Sequence, residues 1–281
     1  MSEPQQTMMY LEGLLYVEGK SDSYRLTKLC TELDTLREEK KVLSKKLIVT
    51  EGAKIPSNSK AIRNSLSSSL RHERFKLVVW IIDGDEGYPL HTIRQRLTER
   101  VERFVSTTGF EEGTLKLEIS QEALNEYQEN TLIEAELTFK TNARITSWRI
   151  HVGYYVLQGQ TASLESCPEK SVPIVDFESA LLHCAKDTQR KDIIHHLGKT
   201  LKEQYPPYGG FSSPGQLSKA LFWCFHLITP DEKNHARTSI KDTAIELFDL
   251  NKSLVATNPL VKLLRDIESL GYSLGVFSSS E

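Results

Sequence analysis

The run Phe75-Lys76-Leu77-Val78-Val79-Trp80-Ile81-Ile82 constrains this chain more than any other feature. It is nearly continuous in apolar residues and rich in β-branched ones, so it reads as a strand covered on both faces. Such a strand belongs inside a parallel sheet with helices packed on either side. It stops abruptly at Asp83-Gly84-Asp85-Glu86-Gly87. Ligands of open parallel sheets bind beyond the carboxyl ends of the strands, so the acidic turn stands where chemistry is expected.

The flanking segments fit that architecture. Leu14-Leu15-Tyr16-Val17 is a short apolar run closed by Glu18-Gly19, and Leu47-Ile48-Val49-Thr50 is another, closed by Gly52 and Pro56. Between them Ser21 or Asp22 can cap a helix whose apolar face holds Tyr24, Leu26, Leu29, Leu33 and Leu36. Ile62, Leu66 and Leu70 space a second helix over 57–70, and Ile93, Leu97, Val101 and Phe104 a third over 90–105. Residues 14–105 therefore alternate strand and helix three times, the pattern of a parallel sheet with crossover helices.

From 114 the pattern changes. Leu115 to Ile119, Leu132 to Lys140 and Ile145 to Leu157 alternate apolar and polar residues, which predicts strands, partly antiparallel, turning near Thr141-Asn142. Residues 158–173 read as a loop. Helices are expected over 177–185, 190–204, 216–227, 240–250 and 259–270, broken by the Pro/Gly stretch from Pro206 to Gly215. The expected fold is α/β, a parallel-sheet core with an inserted or appended β hairpin. The domains divide as 1–157 for that core and 158–281 for a mainly helical C-terminal region.

Composition removes several classes of protein. The 281 residues hold 35 Lys and Arg against 38 Asp and Glu, a net charge of −3, so a globally basic nucleic-acid binder is not expected, though a local basic groove is allowed. At 39% hydrophobic residues the chain has the apolar surface that a disordered chain lacks. No apolar run reaches the length of a membrane span, and the N-terminus has no secretory pattern. The four cysteines, Cys30, Cys167, Cys184 and Cys224, are scattered, with no zinc spacing. Buried free thiols in a reducing cytoplasm are the expectation.

The candidate chemistry rests on Glu18, Asp83 and Asp85. Each follows a buried strand, and a glycine between the two aspartates allows a turn that points both the same way. Hard oxygen ligands of this kind suit Mg²⁺ or Mn²⁺. Three carboxylates sharing a small volume are costly without a cation.

Leu14 to Asp22 (LLYVEGKSD), followed by Val78 to Gly87 (VVWIIDGDEG), resembles the Toprim fold of topoisomerases, primases and overcoming-lysogenization-defect nucleases. The form VEGKSD is closest to that nuclease type and to small stand-alone Toprim nucleases. The resemblance covers about residues 12–105. It implies that Glu18, Asp83 and Asp85 gather Mg²⁺ or Mn²⁺ for phosphodiester hydrolysis, with Glu18 either a ligand or a general base. Glu51-Gly52 also ends a strand, but between Glu51 and Asp83 there is no room for the intervening strand of a Toprim fold. Between Glu18 and Asp83 there is. A third acidic motif, at a helix start, matches Pro173-Ile174-Val175-Asp176-Phe177-Glu178-Ser179-Ala180-Leu181-Leu182, with Glu178 the preferred ligand and Asp176 the second choice. Lys20 would contact the scissile phosphate as a point charge.

The resemblance implies a nuclease acting on DNA or RNA, working with an ATPase partner in defence against phage. Homo-oligomerisation is left open. The alternative is a non-catalytic Toprim-like module that binds nucleic acid or protein; a strand-processing enzyme ranks lower, without a recognisable topoisomerase tyrosine or primase zinc segment. Other features have plainer readings. His195-His196 cannot easily share one ion, because adjacent helix residues point about 100° apart. His91 reads as a helix-surface histidine before a phosphate contact, and Arg94, Arg96, Arg100 and Arg103, interleaved with Glu99 and Glu102, read as a mixed solvated face at least as readily as a backbone track. Tyr205, Tyr208 and Phe211 read as loop packing before base stacking. No serine sits in a nucleophile-elbow pattern, and no phosphate-binding GxxxxGK[ST] loop occurs.

Overall fold

The computed structural model describes residues 11–36, 46–51, 60–84, 90–158, 174–185, 188–229 and 258–273. Asp85, most of the loop at 158–173 and the helix expected over 240–250 lie outside them, as does Cys167. In chain order the elements are β1 (Gly13–Val17), α1 (Lys20–Leu36), β2 (Leu47–Glu51), α2 (Lys60–Arg71), β3 (Leu77–Asp83), α3 (Leu90–Thr107) and β4 (Leu115–Glu118). Then follow α4 (Gln121–Glu126), β5 (Leu132–Lys140), β6 (Ile145–Leu157), α5 (Phe177–His183), α6 (Thr188–Gln204), α7 (Pro214–Ile228) and α8 (Pro259–Ser273).

The fold is α/β, with one mixed six-stranded sheet in the order β2-β1-β3-β6-β5-β4. β1 pairs in parallel with β2 and with β3. β6 runs in the same sense as β3, since His151 N donates to Lys76 O while Gly84 lies against Leu157 and Gln158. β5 is antiparallel to β6, and β4 to β5. Five strands thus point one way and β5 alone is reversed. β1 and the first six residues of β3 are buried throughout, as expected for strands covered on both faces. β4 and β5 alternate buried and exposed residues, as a sheet with one wet face does.

Close approach sets the centre of the sheet. A Cβ on Gly13 would stand 2.7 Å from Leu47 Cδ2 and 2.9 Å from Leu77 Cβ, so glycine lets β1 lie tight between its neighbours. Tyr16 and Trp80, opposite one another across β1 and β3, stack at 5.8 Å. Phe75 and Phe104 stack at 6.0 Å and join the start of β3 to α3.

The chain divides into two compact units. One holds the described residues up to Trp80 and from His91 to Tyr154; the other holds Ile81 to Leu90 and Tyr155 to Ser273. The sequence division at 157/158 does not separate the 81–90 segment. In the second unit Tyr155 Oη donates to Asp266 of α8. Asn258 caps α8 through Leu260 N (3.0 Å) and donates to Ala180 O of α5 (2.7 Å), so one side chain joins two helices.

Two expectations about α1 change. The helix begins at Lys20, so Asp22 acts from its third position and accepts from Gly19 N at 3.2 Å, and Ser21 lies inside the helix. Tyr24 is 45% exposed and meets Lys28, not the core. The short helix α4 has no buried residues and so no apolar periodicity to announce it. Among the described residues Cys30 and Cys184 are buried and Cys224 is half-buried, and none of the three is in a disulfide. Among them also no helix is long and apolar enough to cross a membrane.

Candidate functional site

Each acidic motif is held by its own local structure. Glu18 is exposed and directly follows β1. The turn after it is fixed from α1: Asp22 takes the Gly19 amide with Oδ2, and its Oδ1 lies 3.4 Å from Arg25 Nη1. Both partners of that pair are buried, so the pair gives the turn a defined shape. Ser23 Oγ reaches Val49 O at 3.5 Å and ties the same turn of helix to β2. Lys20, the first residue of α1, is exposed.

Asp83 is the last residue of β3, and its side chain is 14% exposed. Its Oδ1 accepts from the backbone N–H of Phe177 at 3.2 Å, across 94 residues of sequence. Gly84 N donates to Val175 O at 2.7 Å, so backbone and side chain both meet the segment that starts α5. The Lys219 ammonium of α7 stands 4.0 Å from Asp83 Oδ2. Gly84 has a different task from the one its sequence setting suggests. A Cβ there would lie 2.6 Å from Gln158 Cβ and 3.0 Å from Leu157 O, so the glycine is required by crowding against the end of β6.

The start of α5 is a buried polar knot. Asp176, 0% exposed, is the N-cap. Its Oδ1 accepts from Ser179 N (2.8 Å), Ser179 Oγ (2.6 Å) and Ser218 Oγ of α7 (2.7 Å). Ser179 Oγ accepts in turn from Asp176 N at 3.1 Å, which completes a capping box with serine in place of the usual glutamate. Asp176 Oδ2 is buried and has no hydrogen-bond partner among the described residues. Burial, and after it the charge of Glu178, push the Asp176 carboxyl up to about 6, against the pull of its serine hydrogen bonds. Glu178 is itself buried in the first turn of α5.

In the second unit the structure sets Asp83 against the backbone of the segment that carries Asp176 and Glu178, and adds two residues that the sequence did not single out, Ser218 and Lys219. Both lie on α7, whose helical spacing reads as apolar packing, so nothing local in the sequence marks them. Glu18 and Lys20 belong to the first unit. Asp85 lies outside the described residues. Asp83 and Glu178 offer the hard oxygen donors that Mg²⁺ or Mn²⁺ takes, so the donor set fits such an ion in kind. Asp176 has one oxygen saturated by the cap, and its Oδ2 meets no donor among the described residues. Among the described residues no group of three or more His, Cys, Asp or Glu is gathered to hold a metal ion.

The secondary candidates are used structurally. His195 is buried and meets His183 edge-on at 5.2 Å, while His196 is exposed, so the adjacent histidines face different surroundings. Arg94 donates to Asn125 O (2.6 Å) and Tyr127 O (3.1 Å), holding the end of α4 to α3. Tyr205 is exposed, and Tyr208 and Phe211 are half-buried.

Comparison of the chain with protein-family models, with curated proteins and with solved structures finds no match.

Proposed function

We propose that this chain is a Toprim-type, Mg²⁺- or Mn²⁺-dependent nuclease that hydrolyses phosphodiester bonds of DNA or RNA. The observation that carries the reading is the hydrogen bond from Phe177 N to Asp83 Oδ1. It seats the helix start chosen as the third acidic motif directly on the strand end that carries the second. The resemblance implied that these two segments meet, and no local pattern in the sequence did.

A bound divalent ion would polarise a phosphate oxygen and lower the pKa of its water. The protein's own groups have definable tasks. Asp83 and Glu178 would hold the ion, with Asp83 oriented by the Phe177 amide. Lys219 would meet a non-bridging phosphate oxygen as a point charge. Asp176, held on three donors, would fix the start of α5 and hence Glu178. Glu18, carried over from the resemblance, would be a ligand or general base, and Lys20 a phosphate contact. The same resemblance suggests an ATPase partner, a cytoplasmic setting and a role in defence against phage.

The test is cleavage of supercoiled plasmid and labelled single-stranded RNA with Mg²⁺, Mn²⁺ or EDTA, using wild type and Asp83→Asn, Glu178→Gln and Glu18→Gln. Metal-dependent cutting, lost in folded variants, is the expected result. Cutting that persists in all three would remove the reading. One observation favours a second reading, a Toprim-like binding module without turnover: Lys219 already supplies a positive charge beside Asp83. Metal-independent nucleic-acid binding with no product under any condition would select it.

A further inference from the structure

The loop from Tyr205 to Ser213 joins α6 to α7 and leaves one aromatic residue in solvent on a fixed backbone. Tyr205 N donates to Leu201 O at 2.9 Å, and Gly210 N donates to Tyr205 O at 3.0 Å, so this residue is tied on both sides. Gly209, at φ +66°, lies so near α6 that a Cβ would stand 2.8 Å from Leu201 Cβ, so only glycine fits there. Ser213 closes the far end, capping α7 through Gln216 N at 3.2 Å, while Gln216 Oε1 accepts from Ser212 N at 3.3 Å. On this frame Tyr208 and Phe211 are half-buried, whereas Tyr205 is 57% exposed.

The surroundings select what can meet that ring. Residues 188–229, which hold α6, the loop and α7, carry five Lys and Arg against two Asp and Glu, +3 in a chain of −3. Of the two acids, Glu203 lies 3.9 Å from Lys199, and none occurs from Gln204 to Thr229. The exposed neighbours Pro206, Pro207, Gly210, Ser212 and Gln216 bring no large apolar side chain, so a folded protein partner would find a single ring and no patch. A nucleobase needs only the ring, because every base has a flat face to stack, and its phosphates meet no acid on the loop. The loop runs directly into α7, where Lys219 stands beside Asp83 after about one and a half turns of helix.

We propose that Tyr205 is a base-stacking residue for a single-stranded nucleic acid whose phosphate reaches Asp83 and Lys219. The proposal rests on the nuclease reading above and gives it a substrate class, single-stranded DNA or RNA. A duplex is excluded from this contact because its bases are already stacked on one another. Tyr208 and Phe211 hold the loop to the body of the unit.

Fluorescein-labelled oligothymidine, titrated against the full chain by anisotropy in EDTA, tests this without cutting. Tyr205→Ala should weaken binding about tenfold, and Tyr205→Trp, which keeps a ring, should bind as wild type does. An abasic strand of the same length keeps the phosphates and lacks the bases, so wild type and Tyr205→Ala should bind it alike. A duplex should likewise show no loss on Tyr205→Ala. Equal binding of oligothymidine by wild type and Tyr205→Ala, a loss of the same size on the abasic strand, or no saturable binding of a single strand by wild type would each overturn the inference. Cleavage assays separate the two readings. Metal-dependent cutting with binding indifferent to Tyr205 removes the stacking role and leaves the nuclease; Tyr205-dependent binding without cutting removes the nuclease and leaves the stacking role.

Discussion

The carboxylates at the start of α5 are buried and answered atom by atom, whereas those of β4 and β5 stand in solvent. Asp176 takes three hydrogen bonds on one oxygen, and Asp83 is met by an amide and an ammonium. On the hairpin, Glu118 pairs with Lys116 at 2.7 Å and Glu134 with Arg149 at 3.0 Å, both pairs more than half exposed. Glu118 and Glu136 lie directly opposite each other, like charge on like charge. Burial makes each carboxylate of the first region specific to one task, because an unmet buried charge is costly. Exposure makes those of the second interchangeable contributors to a field.

The comparison breaks most visibly at Asp83. Asp83→Asn keeps an acceptor for Phe177 N but loses the charge. Metal-dependent cutting should fall about a hundredfold or more while circular dichroism and the thermal midpoint stay near wild type. An active Asp83→Asn protein would place the ion elsewhere.

The next effect is in pH. The Asp176 carboxyl is raised from its ordinary 3.8 to about 6, so the native state binds the proton more tightly than the unfolded chain. Its contribution to stability is full below about pH 4 and is lost as pH rises to about 6, a change of about 2–3 kcal/mol. Asp176→Asn should remove that slope from urea unfolding measured across this window.

Gly84→Ala sharpens the same contrast through packing, not charge. The added methyl meets Gln158 Cβ and Leu157 O, and chemical unfolding should register a loss of about 2 kcal/mol. The smallest effect belongs to the hairpin. Glu118→Gln relieves the opposition to Glu136 but gives up the Lys116 pair, and stability should stay within about 0.5 kcal/mol of wild type, with weak salt dependence.

The two regions also differ in how much of them could be read from the chain. β1, β3 and α3 announce themselves through unbroken or periodic apolar residues, and the hairpin through strict alternation. Asp83 was legible because a buried strand ends on it. Asp176 stood out as an acid before an apolar run, but its partner Ser218 comes from α7, 42 residues on, and such a contact leaves no local pattern. Lys219 was invisible for the same reason. Tyr24 was misassigned because helical spacing alone cannot say which edge of an apolar stripe is wet. α4 escaped because a cap at Ser120 and six residues with none buried carry no hydrophobic signal. The place of β4 at the end of the strand order was illegible in principle, since sheet order is a property of the folded chain.

The bond from Phe177 to Asp83 also bears on when in the life of the molecule its site exists. Closing a loop of 94 residues costs about 4 kcal/mol of chain entropy beyond a constant, so this contact can form only after other contacts have shortened the path. A nascent chain that has emerged only as far as β6 carries Asp83 without the amide that orients it and without Lys219 beside it. Assembly of this end of β3 waits for α5 and α7 to be synthesised. An activity that depends on it switches on only after α7 has been made, and is absent from fragments truncated before those helices.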